Sequence, residues 1–213
     1  LTMSLNSPWS LRINVKPAST EVETWGRVHR LSLSGGGIAW LAGDVDAIRA
    51  RSGEWEPVIS SATLSINPED PAGSAARLEG RFVLVVQQGE RCWVGTDSQG
   101  RADVFVSADG KTLGTDLSLF GGPAAAGFDQ VGWAHMLVAY GARPAKRHTP
   151  YAGVRRLGVG ESVWIEKGQI SASVQPFVPE RSRPLETRSL NEYADRLLEA
   201  IRVRGSRNGN VVY

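Results

Sequence analysis

The sequence predicts an α+β protein built mainly on antiparallel strands, with few helices and a final helix on a linker. Three observations carry this. Residues 78–107 hold the apolar runs 82–86, 92–95 and 104–106, each of strand length and rich in β-branched or aromatic residues. Between the runs lie Gln87-Gln88-Gly89-Glu90 and Asp97-Ser98-Gln99-Gly100, each with a glycine that a hairpin turn uses for a positive φ, and Asp97 is placed to hydrogen-bond back into its own turn. The expectation is a three-stranded meander whose first strand is buried on both faces. The best-specified helix lies over 189–202, where Ser189 and Glu192 form a capping box and Leu190, Tyr193, Ala194, Leu197, Leu198 and Ile201 fall on one stripe.

Taken in order, Trp9, Leu11, Ile13 and Val15 alternate with polar residues, which predicts a half-buried strand over 9–15 ended by Pro17. A second alternating run, 25–33 with Val28 and Leu31 apolar, turns at Ser34-Gly35-Gly36-Gly37 into Ile38-Ala39-Trp40-Leu41 and predicts a hairpin. Residues 44–51 are expected as a short helix behind Gly43, and Val58, Ser60, Ala62, Leu64 and Ile66 form another alternating run. Asn67-Pro68-Glu69-Asp70 has the order of an N-cap, an N1 proline and first-turn acids, although Pro71 and Gly73 weaken a helix up to Arg77.

Beyond the central stretch, 113–119 is expected to be extended and 121–127 to be a loop of small residues. Asp129 then caps a helix, and Val131, Ala134, Met136, Leu137 and Val138 cover most of its surface up to Gly141, as suits a helix against a sheet. Residues 157–170 return to strand, with Val163-Trp164-Ile165, a Lys167-Gly168 turn and Ile170 onward as a hairpin. Phe82, Leu84, Val86, Trp93, Val94, Phe105 and Trp164 are expected inside. The segment 176–184 is a proline-spaced linker, and after a polar break over 204–210, Val211-Val212-Tyr213 reads as the start of a fresh strand.

Composition bounds the function. A chain of 213 residues with 41% hydrophobic content buries a core of one domain plus a tail. A net charge of +2 gives no footprint for nucleic acid, and the arginines crowded between 143 and 207 read as solvated surface. The single cysteine excludes an internal disulfide and a cysteine-built metal site, and Cys92 lies between strand residues as a buried inert thiol. The apolar runs are too short for a membrane span and the N-terminus lacks signal-peptide character, so a cytoplasmic protein without membrane contact is expected.

Candidate chemistry is sparse. Ser34-Gly35-Gly36-Gly37 is a glycine-rich loop of the kind that presents N–H groups to phosphate, but no P-loop lysine follows and Ile38-Ala39-Trp40-Leu41 reads as strand, so a hairpin turn is expected. His29, His135 and His148 are too far apart for a metal signature, and His135 is expected as a core or rim residue of its helix. Asp44, Asp46, Glu54 and Glu56 read as solvated acids around a short helix rather than as a catalytic carboxylate pair. No catalytic, cofactor-binding or metal-binding residue is assigned within the chain.

Three motifs, in this order and at this spacing, resemble the N-terminal glutaminase-like domain of the asparagine synthetase family. They are Leu78-Glu79-Gly80-Arg81-Phe82 before an apolar strand, Thr96-Asp97-Ser98-Gln99-Gly100 as a D-x-x-G turn, and Thr149 followed by Gly153-Val154-Arg155-Arg156-Leu157-Gly158-Val159-Gly160, with Val159 where the family usually has proline. The resemblance covers about residues 76–170. It implies an N-terminal-nucleophile hydrolase fold, an αββα-type sandwich of two mainly antiparallel sheets, over 1–175. Residues 176–213 would then form a linker and helix leading into an ATP-dependent synthetase domain with a PP-loop.

In that family an N-terminal cysteine attacks the glutamine side-chain amide, its free α-amine serving as base. No cysteine stands near the start of this chain, and neither an N-G-E stretch nor its like occurs between Trp25 and Asp70. Thr2, or Ser4 after removal of Met3, would be the substitute terminal nucleophiles, yet the first strand begins near Trp9, later than the family's geometry needs. The resemblance thus implies a degenerate glutaminase-like scaffold that is not itself an enzyme. The parent protein would be an asparagine-synthetase-like amide ligase, with ATP and Mg expected only on the C-terminal synthetase domain of the same chain and a homodimer admitted as its assembly. An active amidotransferase with an unusual N-terminal nucleophile and a stand-alone binding module are the alternatives.

Overall fold

The computed structural model describes residues 9–17, 19–50, 55–57, 64–121, 127–138, 147–174 and 187–205. The first half of the chain gives β1 (Trp9–Lys16), β2 (Ser19–Gly26), β3 (Val28–Ser32), β4 (Ile38–Arg49), β5 (Trp55–Pro57) and α1 (Pro71–Ala76). It continues through β6 (Leu78–Gln88), β7 (Arg91–Thr96), β8 (Phe105–Ser107), β9 (Thr112–Gly114) and α2 (Gln130–Val138). The last elements are β10 (Val154–Arg156), β11 (Glu161–Glu166), β12 (Gln169–Val174) and α3 (Thr187–Gly205).

The strands form two antiparallel sheets, so the α+β sandwich is the observed architecture. One sheet has the order β10-β8-β9-β1-β2; the other runs β12-β11-β7-β6-β4-β3, with β5 added on β4. Alternation explains the packing. Leu11, Ile13 and Val15 of β1 meet Val83 and Val85 of β6, Val94 of β7 and Val163 and Ile165 of β11 in one buried cluster between the sheets. The opposite face of β6, with Phe82, Leu84 and Val86, packs with Leu41, Trp93, Leu78 and α1's Ala75 in a second cluster. Strand β6 is therefore buried on both faces, as its unbroken apolar run predicts. The expected interior residues are all buried except Trp164, which is half-buried with the Arg91 guanidinium 4.7 Å above its ring.

Several expectations are corrected. The central stretch is a hairpin and not a meander: β6 and β7 pair across Gly89, but the chain then crosses to the other sheet, where β8 pairs with β9 and β10. Residues 44–49 extend β4 rather than forming a helix, because Val45 and Ala47 point inward while Asp44 and Asp46 face out, a period of two. Residues 19–26 pair with β1 as a strand of their own, so the extended run expected from Trp25 is divided between β2 and β3. The turn at 34–37 is the expected hairpin, closed by the Leu33 N–H to the Gly37 carbonyl at 2.9 Å.

The helix after Asn67 starts three residues later than predicted, since Asn67 spends its side chain on an Asx turn to the Glu69 N–H. Asp70 is the cap instead, accepting from the Gly73 N–H at 2.9 Å, with Pro71 at the first helical position. After β9, Asp116 caps a 3-10 turn over Leu117–Phe120, where an extended piece was expected. Residues 157–160 form a turn between β10 and β11, and the Lys167-Gly168 hairpin follows with φ of 50° and 72°. Helix α3 starts at Thr187, which puts Ser189 inside its first turn rather than at the cap. Residues 1–8, 58–63, most of the small-residue loop expected over 121–127, the end beyond Val138 of the helix expected after Asp129, the linker 176–184 and the terminal segment 206–213 lie outside the described residues.

Two helices keep apolar surface uncovered. In α2 only Gly132 is buried, while Val131, Trp133, Leu137 and Val138 are exposed, contrary to the expected packing on a sheet. Helix α3 approaches β4 and β5, yet Leu190, Tyr193, Leu197, Leu198 and Ile201 stay exposed. Among the described residues no helix is long and apolar enough to cross a membrane.

Candidate functional site

Strand register brings the motif residues to one end of the sandwich. Arg12, Gly114, Phe105 and Arg156 form one cross-strand row through β1, β9, β8 and β10. Beyond that row, toward the start of β1, the backbones of Leu11 and Thr115 and of Val104 and Leu157 are joined by hydrogen bonds of 3.0 and 2.8 Å. The beginning of β1, the 97–103 turn and the 157–160 turn therefore share this end.

Asp97 organises the first of these turns. Its side chain is buried, and its two oxygens accept the backbone N–H groups of Gln99, Arg101 and Ala102 at 3.0–3.2 Å. The Arg101 guanidinium adds a bond to Asp97 Oδ1 at 3.3 Å, and reaches Glu79 Oε1 at 3.1 Å and the Gly80 carbonyl on the neighbouring strand. Gly80 must be glycine there: its φ is 152°, and a Cβ would lie 2.2 Å from the Asp44 carbonyl oxygen. Thr149 does the same work for the 149–154 turn that leads into β10, its buried Oγ1 donating to the Val154 or Tyr151 carbonyl and accepting from the Tyr151 N–H.

Glu161 is the buried acid of the second turn. Its carboxylate accepts from Arg155 at 2.8 Å and from the Gly158 N–H at 2.9 Å, and Arg147 stands 3.4 Å away. Arg156, at 13% side-chain exposure, pairs with Asp103 at 3.3 Å. These arginines correct the expectation of a purely solvated basic surface. The local signal was present, since Glu161 directly follows the Gly158-Val159-Gly160 turn and a buried carboxylate requires donors. Between the two turns opens a cleft of about 360 Å³ lined by Gln99, Gly100, Arg147, Arg156, Leu157, Gly158 and Val159.

The other flagged residues are not gathered here. Cys92 is buried at the second position of β7, and burial raises its thiol pKa to about 12, which removes it as a nucleophile. His29 lies on β3 and His135 on the exposed surface of α2, at the rim and not in a core. His148 Nδ1 is 3.0 Å from Asp129 Oδ2, while Asp129 Oδ1 caps α2 through the Val131 and Gly132 N–H groups. The His148 bond, then the Gly132 N–H, hold the Asp129 carboxyl below the usual aspartate range. Asp44 is exposed on β4, Asp46 is half-buried there, Glu56 is exposed, and Glu54 lies outside the described residues. Among the described residues no group of three or more His, Cys, Asp and Glu side chains is placed to hold a metal ion. The residue that opens β1 is Trp9, itself buried in the intersheet cluster.

No family model matches the chain, and no curated protein matches it. Solved structures similar to the chain include glutamine phosphoribosylpyrophosphate (PRPP) amidotransferase from B. subtilis complexed with ADP and GMP, and the allosteric regulatory enzyme of purine biosynthesis. Each aligns at 10% identity and a TM-score of 0.45, covering 82% of this chain and 44% of that chain. The chain thus spans less than half the length of either.

Proposed function

We propose that the chain is a glutaminase-like scaffold domain without glutaminase chemistry, part of an asparagine-synthetase-related protein that forms amide bonds with ATP. One observation carries the reading: the single cysteine is buried near the β6–β7 hairpin, at the start of β7, with its thiol pushed to about 12, and does not lie at the 97–103 end of that strand, which β1's beginning shares. The motif residues support it from the other side. Gly80, Asp97, Gly100 and Thr149 are engaged in backbone approach, turn closure and strand anchoring, which are structural duties. In this reading ATP and Mg belong to a synthetase domain of the same protein. The exposed stripe of α3 fits a helix that packs on such a partner.

The test is an electrophilic diazoketone analogue of glutamine, which alkylates the nucleophile of glutamine amidotransferases. Mass spectrometry of the full-length protein is expected to find no adduct. A stoichiometric adduct on the N-terminal residue, suppressed by excess glutamine, contradicts the proposal and favours an active amidotransferase.

A further inference from the structure

We propose that the cleft between the 97–100 and 157–160 turns binds a small carboxylate ligand carrying an adjoining apolar group, of about the size of an acylated amino acid. The volume of about 360 Å³ falls within the range of small-molecule sites. Its lining includes two arginines, Arg147 and Arg156, and no acidic residue; the partners of those arginines, Glu161 and Asp103, are not among the lining residues.

The two arginines differ in a way that suits binding. Arg156 is nearly covered and held by Asp103, so it contributes a fixed guanidinium whose charge Asp103 partly offsets. Arg147 is 57% exposed, and its contact to Glu161 is long at 3.4 Å while Arg155 and the Gly158 N–H already occupy that carboxylate at 2.8 and 2.9 Å. That contact is the loosest of the three on the buried Glu161 carboxylate, and a guanidinium fork such as the exposed Arg147 matches a carboxylate in two parallel bonds. Val159, 57% exposed, and Leu157 supply apolar wall, and the exposed Gln99 amide offers a polar partner beside them. Both turns are fixed beforehand, one by Asp97 and the other by Glu161, whose carboxylate accepts the Gly158 N–H and whose own N–H bonds the Gly158 carbonyl, so little ordering is left for the ligand to impose. An apolar wall beside a planar fork favours a carboxylate over inorganic phosphate.

The proposal is independent of the glutaminase-like reading, and its test involves neither glutamine nor ATP. N-acetyl-L-leucine is titrated into the isotope-labelled full chain, with N-acetyl-L-leucinamide and inorganic phosphate as separate arms. The expected result is saturable movement of the Gly100, Gly158 and Val159 amide signals with the carboxylate alone, weakened about tenfold by Arg147→Gln at an unchanged unfolding midpoint. Gln99→Ala, on an exposed side chain, is expected to weaken it about threefold and stands in should Arg147→Gln disturb folding. No movement, an equal response to the neutral amide or to phosphate, or affinity unchanged in both variants overturns the proposal.

Discussion

Asp97 accepts the backbone N–H of Arg101 on both carboxylate oxygens, at 3.2 and 3.0 Å, and takes the same residue's Nε at 3.3 Å. The D-x-x-G turn is thereby closed by its own first residue, and Arg101 carries the constraint across to Gly80 and Glu79 on β6. Asp97→Ala is expected to cost about 3 kcal/mol or more, because the buried Ala102 N–H and three further donors, the Gln99 and Arg101 N–H groups and Arg101 Nε, lose their acceptor. Asp97→Asn, which keeps one oxygen, is expected to cost less. Urea unfolding of the two variants checks the order; equal stability of Asp97→Ala and wild type would remove the turn from the fold's framework.

Gly80→Ala and Gly89→Ala separate crowding from conformation. Both glycines have positive φ, but a Cβ at Gly80 meets the Asp44 carbonyl at 2.2 Å, whereas nothing lies within 4 Å at Gly89. The tip substitution is expected to cost about 1 to 2 kcal/mol, the left-handed penalty alone, and the Gly80 substitution clearly more. Similar unfolding midpoints for the two variants would show that β4 and β6 do not approach as described.

Much of this framework was legible beforehand, and the failures have physical causes. The run from Phe82 to Val86, the turn glycine Gly89, the self-bonding Asp97 and the cap at Asp129 are local signals, each read from a few neighbouring residues. The choice of sheet for β8 is not local: Val104, Phe105 and Val106 specify a strand but not the partner it pairs with, which β9 and β10 decide. The alternation of Val45 and Ala47 with Asp44 and Asp46 was available and outweighed the helix expectation. Glu161 adjoins the Gly158-Val159-Gly160 turn, but its burial is not local, and its arginine partners, Arg147 and Arg155, come together on it only through the fold.

The thiol of Cys92 is expected to resist alkylation in the native state at pH 8, since burial raises its pKa to about 12, and to react at an ordinary rate once the chain is unfolded. Iodoacetamide trapping followed by mass spectrometry reads both rates. Fast native labelling would place the thiol at the surface and reopen it as a nucleophile.

Asp129 gives a pH dependence with a definite sign. Its folded pKa lies below the unfolded value, with the His148 bond as the largest cause. The stabilisation is thus fully present above the ordinary aspartate pKa of about 4 and is lost as pH falls through the depressed folded value. His148→Ala is expected to move the Asp129 carboxyl resonance titration upward toward the ordinary range. An unmoved titration would mean that the helix-capping N–H groups alone set it.

The central claim is the absence of glutaminase chemistry, and ammonia release from glutamine by the purified full-length protein tests it most directly. Release no faster than in buffer is expected, unchanged by chemical acetylation of the N-terminus and by Cys92→Ser. Turnover well above buffer that acetylation abolishes would contradict it.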